Sequence, residues 1–123
     1  MSRPQRGRDQ LQKVWFKLEV IIGDYMIIVL AKAIPKDEES CAKIVEFAQD
    51  LIENTKKEEG NIDYNLYSNT DDGTLLFVEQ WESKEILGSH LQTDHFIRFG
   101  ENIQDLVASE LLIDVFDSNA VDL

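Results

Sequence analysis

Three strand-like segments of this chain are apolar on both faces, and they restrict the possible folds more than any other feature of the sequence. They cover residues 26–31, 75–78 and 111–113. A sheet that carries helices on one side and meets water on the other should instead alternate between apolar and polar residues. Because a large uncovered apolar face marks an interface in soluble proteins, we expect helices on one face of this sheet and a second copy of the chain on the other.

The first half of the domain is predicted to be a strand, a helix and a hairpin. A strand over residues 26–33 is followed by an amphipathic helix, whose apolar residues recur at helical spacing over residues 41–55. Alternating strands over residues 62–68 and 74–81 flank a turn-forming sequence and therefore predict a hairpin.

Two short helices and a final strand complete the predicted order. Ser83 can cap a short helix that ends at Leu91, Thr93 or Asp94 can cap a second helix, and residues 110–116 form an apolar strand. The order from residue 26 onward is therefore βαββαβ. With right-handed crossovers this order predicts an α+β, ferredoxin-like fold, in which a four-stranded antiparallel sheet carries its helices on one face.

The first 25 residues differ from the rest of the chain in charge. Residues 1–25 hold five of the 12 basic residues but only three of the 24 acidic ones. We therefore predict that they form an N-terminal extension of a domain over residues 26–123. Within the extension, residues 11–22 fit a helix or, towards their end, a strand, and we favour the helix.

Charge and cysteine content exclude several classes of function. A net charge of −12 repels the phosphates of nucleic acids, so nucleic acid is not an expected partner. The single cysteine, Cys41, allows no disulfide within the chain and favours a cytoplasmic location. Charged residues interrupt the apolar stretch over residues 18–33, so neither a membrane span nor a secretory signal is predicted.

Both histidines lie within residues 79–99, which makes this segment the candidate site. His90 could act as a general base, because an imidazole titrates near neutral pH; alternatively it bonds a carbonyl or carboxylate at a helix end. His95 either takes part in catalysis or packs at the start of a helix. Glu79 shares a covered strand face with Trp81 and needs a partner there. It either orients His90 or, as we favour, ties the strand to neighbouring groups.

Aromatic side chains close to this segment are candidates for binding a flat substrate. Tyr64 and Trp81 could stack on an aromatic ring, although packing on the sheet explains Trp81 equally well. Phe96 and Phe99 lie at helical spacing, which is more often a property of a core. The sequence contains no Gly-rich phosphate loop, no Ser-His-Asp set and no metal-ligand spacing, so we predict neither a metal nor a cofactor.

Residues 60–67, 77–83 and 93–96, together with His90, resemble the antibiotic-biosynthesis monooxygenase family. The spacing Glu-x-Trp-x-Ser, then His, then His-Phe is fairly specific for that family. The resemblance covers roughly residues 26–116 and implies a homodimer that forms a dimeric α/β barrel. The family includes quinol monooxygenases that need no metal or flavin, and an isomerase of a phosphorylated quorum-sensing sugar derivative uses a similar scaffold.

The resemblance thus implies a cofactor-independent monooxygenase that oxidises a quinol-like or polycyclic aromatic small molecule with molecular oxygen. His90 would act as the base, and Glu79 would orient it. The residues expected to bind the substrate are Tyr64, Trp81, His95, Phe96 and Phe99. Two alternatives stay open: an isomerase that acts on a phosphorylated sugar derivative by acid-base catalysis, and a dimeric small-molecule-binding protein without catalytic activity.

Overall fold

The computed structural model describes residues 25–123. The strands are β1 (Tyr25–Ala33), β2 (Asn61–Ser68), β3 (Leu75–Trp81) and β4 (Leu112–Asn119), and the helices are α1 (Glu38–Thr55), α2 (Lys84–His90) and α3 (Asp94–Ile103). None of these helices is both long enough and apolar enough to span a bilayer. The helix favoured for residues 11–22 lies outside the described residues, as does the predicted extension apart from Tyr25.

The strands form one sheet in the order β2-β3-β1-β4, and every neighbouring pair is antiparallel. Side chains of the sheet and of the helices pack into a single core on one face. The ferredoxin-like βαββαβ fold predicted from the sequence is therefore confirmed, with its second helical part divided into α2 and α3.

Alternate residues of the two central strands face the helices and are buried. In β1 these include Ile27 and Val29, and in β3 they include Phe77. The residues between them point to the other side of the sheet, where Ile28 and Val78 are only half-buried. Both central strands thus carry apolar side chains on both faces, and the second copy expected on the outer face stays a prediction.

Strand β4 lies further along the chain than the apolar pattern indicated. We predicted a strand over residues 110–116, whereas β4 covers Leu112–Asn119. Its pairing with β1 decides its length, because the ladder continues to the pair of Tyr25 and Asn119. Backbone hydrogen bonds to a neighbouring strand do not require apolar side chains, so the strand extends into a polar sequence.

Gly60 fixes the connection between α1 and β2. Its φ angle is +88°, a left-handed conformation that glycine adopts without steric cost. A Cβ atom at this position would also collide with the side chain of Ile86 in α2. The glycine therefore lets the connection approach α2 closely, and this approach places residue 58 beside the candidate site.

Candidate active site

A cavity of about 550 Å³ lies between the helix-covered face of the sheet and the helices α2 and α3. Its wall is mainly apolar and includes the rings of Tyr64, Phe77, Phe96 and Phe99. Glu79 from β3 and His90 from the end of α2 contribute polar groups. An apolar pocket of this size with a few polar groups is typical of a site for a small molecule.

His90 is held at the cavity wall by a carboxylate. It is the last residue of α2, which Ser83 caps by accepting a hydrogen bond from the backbone N–H of Ile86. The imidazole is 1% exposed, and its Nδ1 lies 2.8 Å from Oε2 of Glu58. An ionised carboxylate only accepts hydrogen bonds, so Nδ1 carries the ring proton when the imidazole is neutral.

The other ring nitrogen of His90 lacks a polar partner in residues 25–123. Nε2 is buried and has no hydrogen-bond partner among the described residues. His90 lines the cavity and Glu58 does not, so Nδ1 is taken up by a group outside the cavity wall. Burial lowers the pKa of His90, while the hydrogen bond and charge of Glu58 act in the opposite direction. The neutral ring therefore keeps an unprotonated nitrogen without a partner among the described residues.

Glu58 also binds the second histidine. Its Oε2 lies 2.6 Å from Nε2 of His95, and each of these two side chains is 15% exposed. Thr93 holds the two helices close enough for this second contact of Glu58. Its hydroxyl donates a hydrogen bond of 2.8 Å to the carbonyl of His90 and caps α3 by accepting one from the backbone N–H of Phe96. One carboxylate oxygen therefore joins the end of α2 to the start of α3.

Glu79 is a buried carboxyl group in the cavity wall. It is 6% exposed, and its Oε1 accepts a hydrogen bond of 2.9 Å from the indole N–H of Trp81. Burial raises the pKa of Glu79 to about 7; the bond from Trp81 lowers it, and the charge of Glu58 raises it further. Near neutral pH a large fraction of Glu79 is therefore an uncharged carboxylic acid, which can donate a proton.

Tyr64 is a neighbour of both Glu79 and His90. It pairs with Glu79 across the strands, and its ring centroid lies 5.6 Å from that of His90. Burial and the nearby charges of Glu79 and Glu58 raise the pKa of its phenol. Tyr64 is therefore an uncharged part of the wall at physiological pH.

The structure brings five of the seven sequence-predicted site residues to the cavity wall: Tyr64, Glu79, His90, Phe96 and Phe99. Trp81 is fully buried and does not line the cavity; its ring packs against that of His90 at a centroid distance of 4.6 Å. His95 does not line it either and instead contacts Glu58. The carboxylate that binds His90 is Glu58, while Glu79 binds Trp81.

The charge of the wall restricts what the cavity can hold. The described residues that line it include two carboxyl groups, Glu79 and Glu110, and none of them is Lys or Arg. A phosphate or sulfonate group would find no cationic partner among these residues, and burying an unpaired charge against the apolar wall is costly. The cavity therefore favours an uncharged ligand.

Glu58, His90 and His95 also form a group that could hold a metal ion. One potential ligand atom of each residue lies within 4.8 Å of the other two, and no other such group occurs in residues 25–123. Glu58 is not recognisable as a site residue from the sequence, because it lies in a run of charged residues that is typical of a solvated surface.

The model of the family described as "Antibiotic biosynthesis monooxygenase" matches residues 26–102. The chain belongs to this family. The resemblance seen in the sequence is therefore confirmed, and Glu79, Trp81, His90 and His95 all lie within the matched part.

Individual family relatives are distant. An uncharacterised protein of Synechocystis is 32% identical over 90 residues, which cover 72% of this chain and 61% of that protein. The proposed monooxygenase YcnE of Bacillus subtilis is 28% identical over 86 residues, covering 69% of this chain and 90% of YcnE. This chain thus spans less than two thirds of the Synechocystis protein and nearly all of YcnE.

A solved structure has the same fold. The crystal structure of a conserved protein from Methanosarcina mazei superposes with a TM-score of 0.71 and is 27% identical. The match covers 81% of this chain and 96% of the other. The fold shared with this structure thus covers most of the chain.

Proposed function

We propose that this protein is a monooxygenase that uses molecular oxygen to oxidise an uncharged, hydroxylated aromatic compound in the cavity. The state of His90 carries the proposal: its Nδ1 is bound to Glu58, and its buried Nε2 has no partner among the described residues. An imidazole with one free nitrogen is suited to remove a proton from a bound hydroxyl group. Family membership supports molecular oxygen as the second substrate.

The substrate itself supplies the electrons for this reaction. Loss of the phenolic proton to Nε2 of His90 gives an aryloxide, which can transfer one electron to oxygen. The resulting radicals combine to form a carbon–oxygen bond, and His90 returns its proton to the peroxide. The enzyme thus holds, desolvates and deprotonates the substrate, and no external reductant is needed.

Glu79 is placed to assist the second half of the reaction. As the peroxide oxygen–oxygen bond breaks, the carboxylic acid of Glu79 can protonate the departing hydroxide to water with one oxygen while its other oxygen accepts the ring hydrogen as a proton. The electron pair of that carbon–hydrogen bond forms the carbonyl group as the hydroxide leaves. One oxygen atom enters the ring as a carbonyl group, and the other leaves as water with the phenolic hydrogen and one ring hydrogen. A carboxyl group with a pKa of about 7 suits both proton transfers near neutral pH.

The walls favour a flat aromatic substrate over a phosphorylated sugar. Tyr64, Phe96 and Phe99 offer ring faces and edges to a planar molecule. An isomerase could use the same acid and base, but its phosphorylated substrate would meet Glu79 and Glu110 without a Lys or Arg in the described wall. An aromatic polyphenol without ionised groups needs no such partner.

Oxygen uptake tests the proposal directly. Dialysed, metal-free protein should consume oxygen above the rate of autoxidation with hydroxylated naphthalenes or anthrones, and the quinone should carry one atom of isotopic label from ¹⁸O₂. The sulfonated derivative of the same compound should be oxidised much more slowly, because its charge meets the acidic wall. No enzymic uptake with any uncharged member of the series would contradict the proposal, and proton exchange into a hydroxyketone would favour an isomerase.

We also propose that the protein forms a homodimer through the outer face of the sheet. Ile28, Leu30 and Val78 on this face are half-buried in the single chain, and Leu112 and Phe116 on the same face of β4 are 55% and 48% exposed. A second copy would remove these side chains from water and so stabilise the pair.

Val78→Asp should convert the dimer into a folded monomer. An unpaired carboxylate buried in the interface costs about 3–5 kcal/mol, and symmetry would bury two. Sedimentation at micromolar concentration measures the change. Val45→Asp, on the exposed side of α1, should remain dimeric, whereas Phe77→Asp should unfold the chain because Phe77 faces the core. A monomeric wild-type protein would contradict the dimer, and a dimeric Val78→Asp variant would show that the interface lies elsewhere.

A further inference from the structure

Two imidazole nitrogens and one carboxylate oxygen converge between α2, α3 and the connection that follows α1. Nδ1 of His90 and Nε2 of His95 lie 2.8 and 2.6 Å from the same oxygen of Glu58. All three ligand atoms are within 4.8 Å of one another. In the metal-free protein, the protons on the two rings occupy the short gaps to the carboxylate.

This set of ligand atoms matches the preference of zinc. Zn²⁺ binds imidazole nitrogen and carboxylate oxygen at about 2.0–2.2 Å in tetrahedral sites, and water takes the fourth position where the protein supplies three ligands. Calcium and magnesium instead prefer sites made mainly of oxygen. Two imidazoles and one carboxylate would thus leave the fourth position on zinc for a water molecule.

A modest movement would open the space that the ion needs. Tetrahedral ligands with bonds of this length lie about 3.4 Å apart, so the carboxylate must withdraw by less than 1 Å from each ring. The two ring nitrogens, which lie within 4.8 Å of each other, must take up the same spacing. Glu58 lies in the connection between α1 and β2, and its side chain is 15% exposed. Glu58 and His95, each 15% exposed, are therefore free to adjust around the buried His90, and the ion can enter beside them.

We propose that Glu58, His90 and His95 bind Zn²⁺ through the carboxylate of Glu58, Nδ1 of His90 and Nε2 of His95. Each imidazole keeps one proton, which moves to its other nitrogen as the metal takes the first. No proton need be released when both rings start neutral. The site lies on the side of His90 that faces away from the cavity, so the ion occupies a position separate from the substrate.

Zinc at this site would switch off the base. With the ion on Nδ1, the ring proton of His90 resides on Nε2, and the imidazole presents an N–H instead of a lone pair to the cavity. This consequence rests on the proposed function, whereas zinc binding itself does not. Zinc would therefore inhibit oxidation without competing with the substrate for space.

Competition with a chromophoric chelator measures the binding. Tag-free protein, previously dialysed against a chelator, should take up one Zn²⁺ per chain. Glu58→Gln and His95→Gln should each weaken binding by at least about 10²-fold, since loss of an outer-shell partner alone typically costs 10–100-fold. Glu59→Gln, which alters the exposed neighbouring carboxylate, should leave the affinity unchanged. Absence of competition, or equal weakening by Glu59→Gln, would overturn the site.

Two measurements on the unaltered protein keep the test independent of variant folding. Co²⁺ in place of zinc should give the intense visible bands of a tetrahedral site without a thiolate charge-transfer band, and a thiolate band would instead assign the ion to Cys41 and overturn the site. Nitrogen NMR should show the proton of His90 moving from Nδ1 to Nε2 when zinc is added, and an unchanged proton position would overturn the site. Zinc binding with undiminished oxygen uptake would support the site but contradict the role of His90 as the base.

Discussion

His90→Ala should lower the enzymic rate of oxygen uptake by about 10²–10⁴-fold, the usual contribution of a positioned general base. The reason is that no other imidazole lines the cavity, and His95 is engaged with Glu58 outside it. Glu79 cannot replace His90 efficiently, because burial keeps a large fraction of its carboxyl group protonated near neutral pH. The measurement is the maximal rate with a substrate that the wild-type protein oxidises, after subtraction of autoxidation.

His95→Ala is the matched control for this substitution. It removes the same side chain at a ring centroid distance of 6.1 Å from His90, but it takes away only one hydrogen bond to Glu58. We expect its rate to fall by much less than that of His90→Ala. Free imidazole should partly restore His90→Ala, because the deleted ring leaves a space that the small base can enter. If the two variants had equal rates, or if imidazole did not restore His90→Ala, the role of His90 would be structural.

Local sequence signals were sufficient to predict the fold. Ser83 and Thr93 cap the helices at which the pattern placed them, and the hairpin lies where turn residues separate two alternating strands. Each of these features depends only on residues that are close together in the sequence. The order of elements then permits few topologies, since handedness and short connections exclude most of them.

The partner of His90 could not be predicted in the same way. Glu58 is 32 residues away in sequence, and its neighbours Lys57 and Glu59 are exposed charged residues. Only the tight approach of Gly60 to Ile86 reveals that this surface-like run reaches the end of α2. Alternation correctly assigned Glu79 to the covered face, but alternation cannot indicate which nearby group a carboxyl binds.

Depth within the core is a second property that strand alternation does not contain. Trp81 and Phe77 lie on the same face of β3, yet only Phe77 lines the cavity. Trp81 is the last residue of the strand, and α2 begins three residues later and brings His90 against the indole. Whether a residue on a covered face borders the ligand or supports the wall thus depends on where each helix crosses the sheet.

Glu79→Gln should stabilise the folded protein in alkaline solution and have little effect in acid. Burial raises the pKa of Glu79 from its ordinary value of 4.5 to about 7, so the folded state holds this proton more tightly than the unfolded state. Below pH 4.5 both states are protonated and folding carries no ionisation penalty. As the pH rises towards 7, ionisation of Glu79 increasingly lowers the free energy of unfolding of the wild-type protein. Above pH 7 this loss reaches about 3 kcal/mol, because each unit of difference in pKa between the two states corresponds to about 1.36 kcal/mol. Glutamine avoids this penalty and still offers an oxygen to Trp81.

Urea unfolding at pH 4.5, 6, 7 and 8.5 measures this difference between variant and wild type. The difference isolates Glu79, because the other titrating groups are common to both proteins and largely cancel. Glu82→Gln, on an exposed residue of the same segment, corrects for the removal of one negative charge from an acidic protein. The stability gain of Glu79→Gln should increase with pH up to about 7 and then remain constant. A gain that does not change with pH would mean that Glu79 is ionised in the folded protein, and would remove the acid from the proposed acid-base pair.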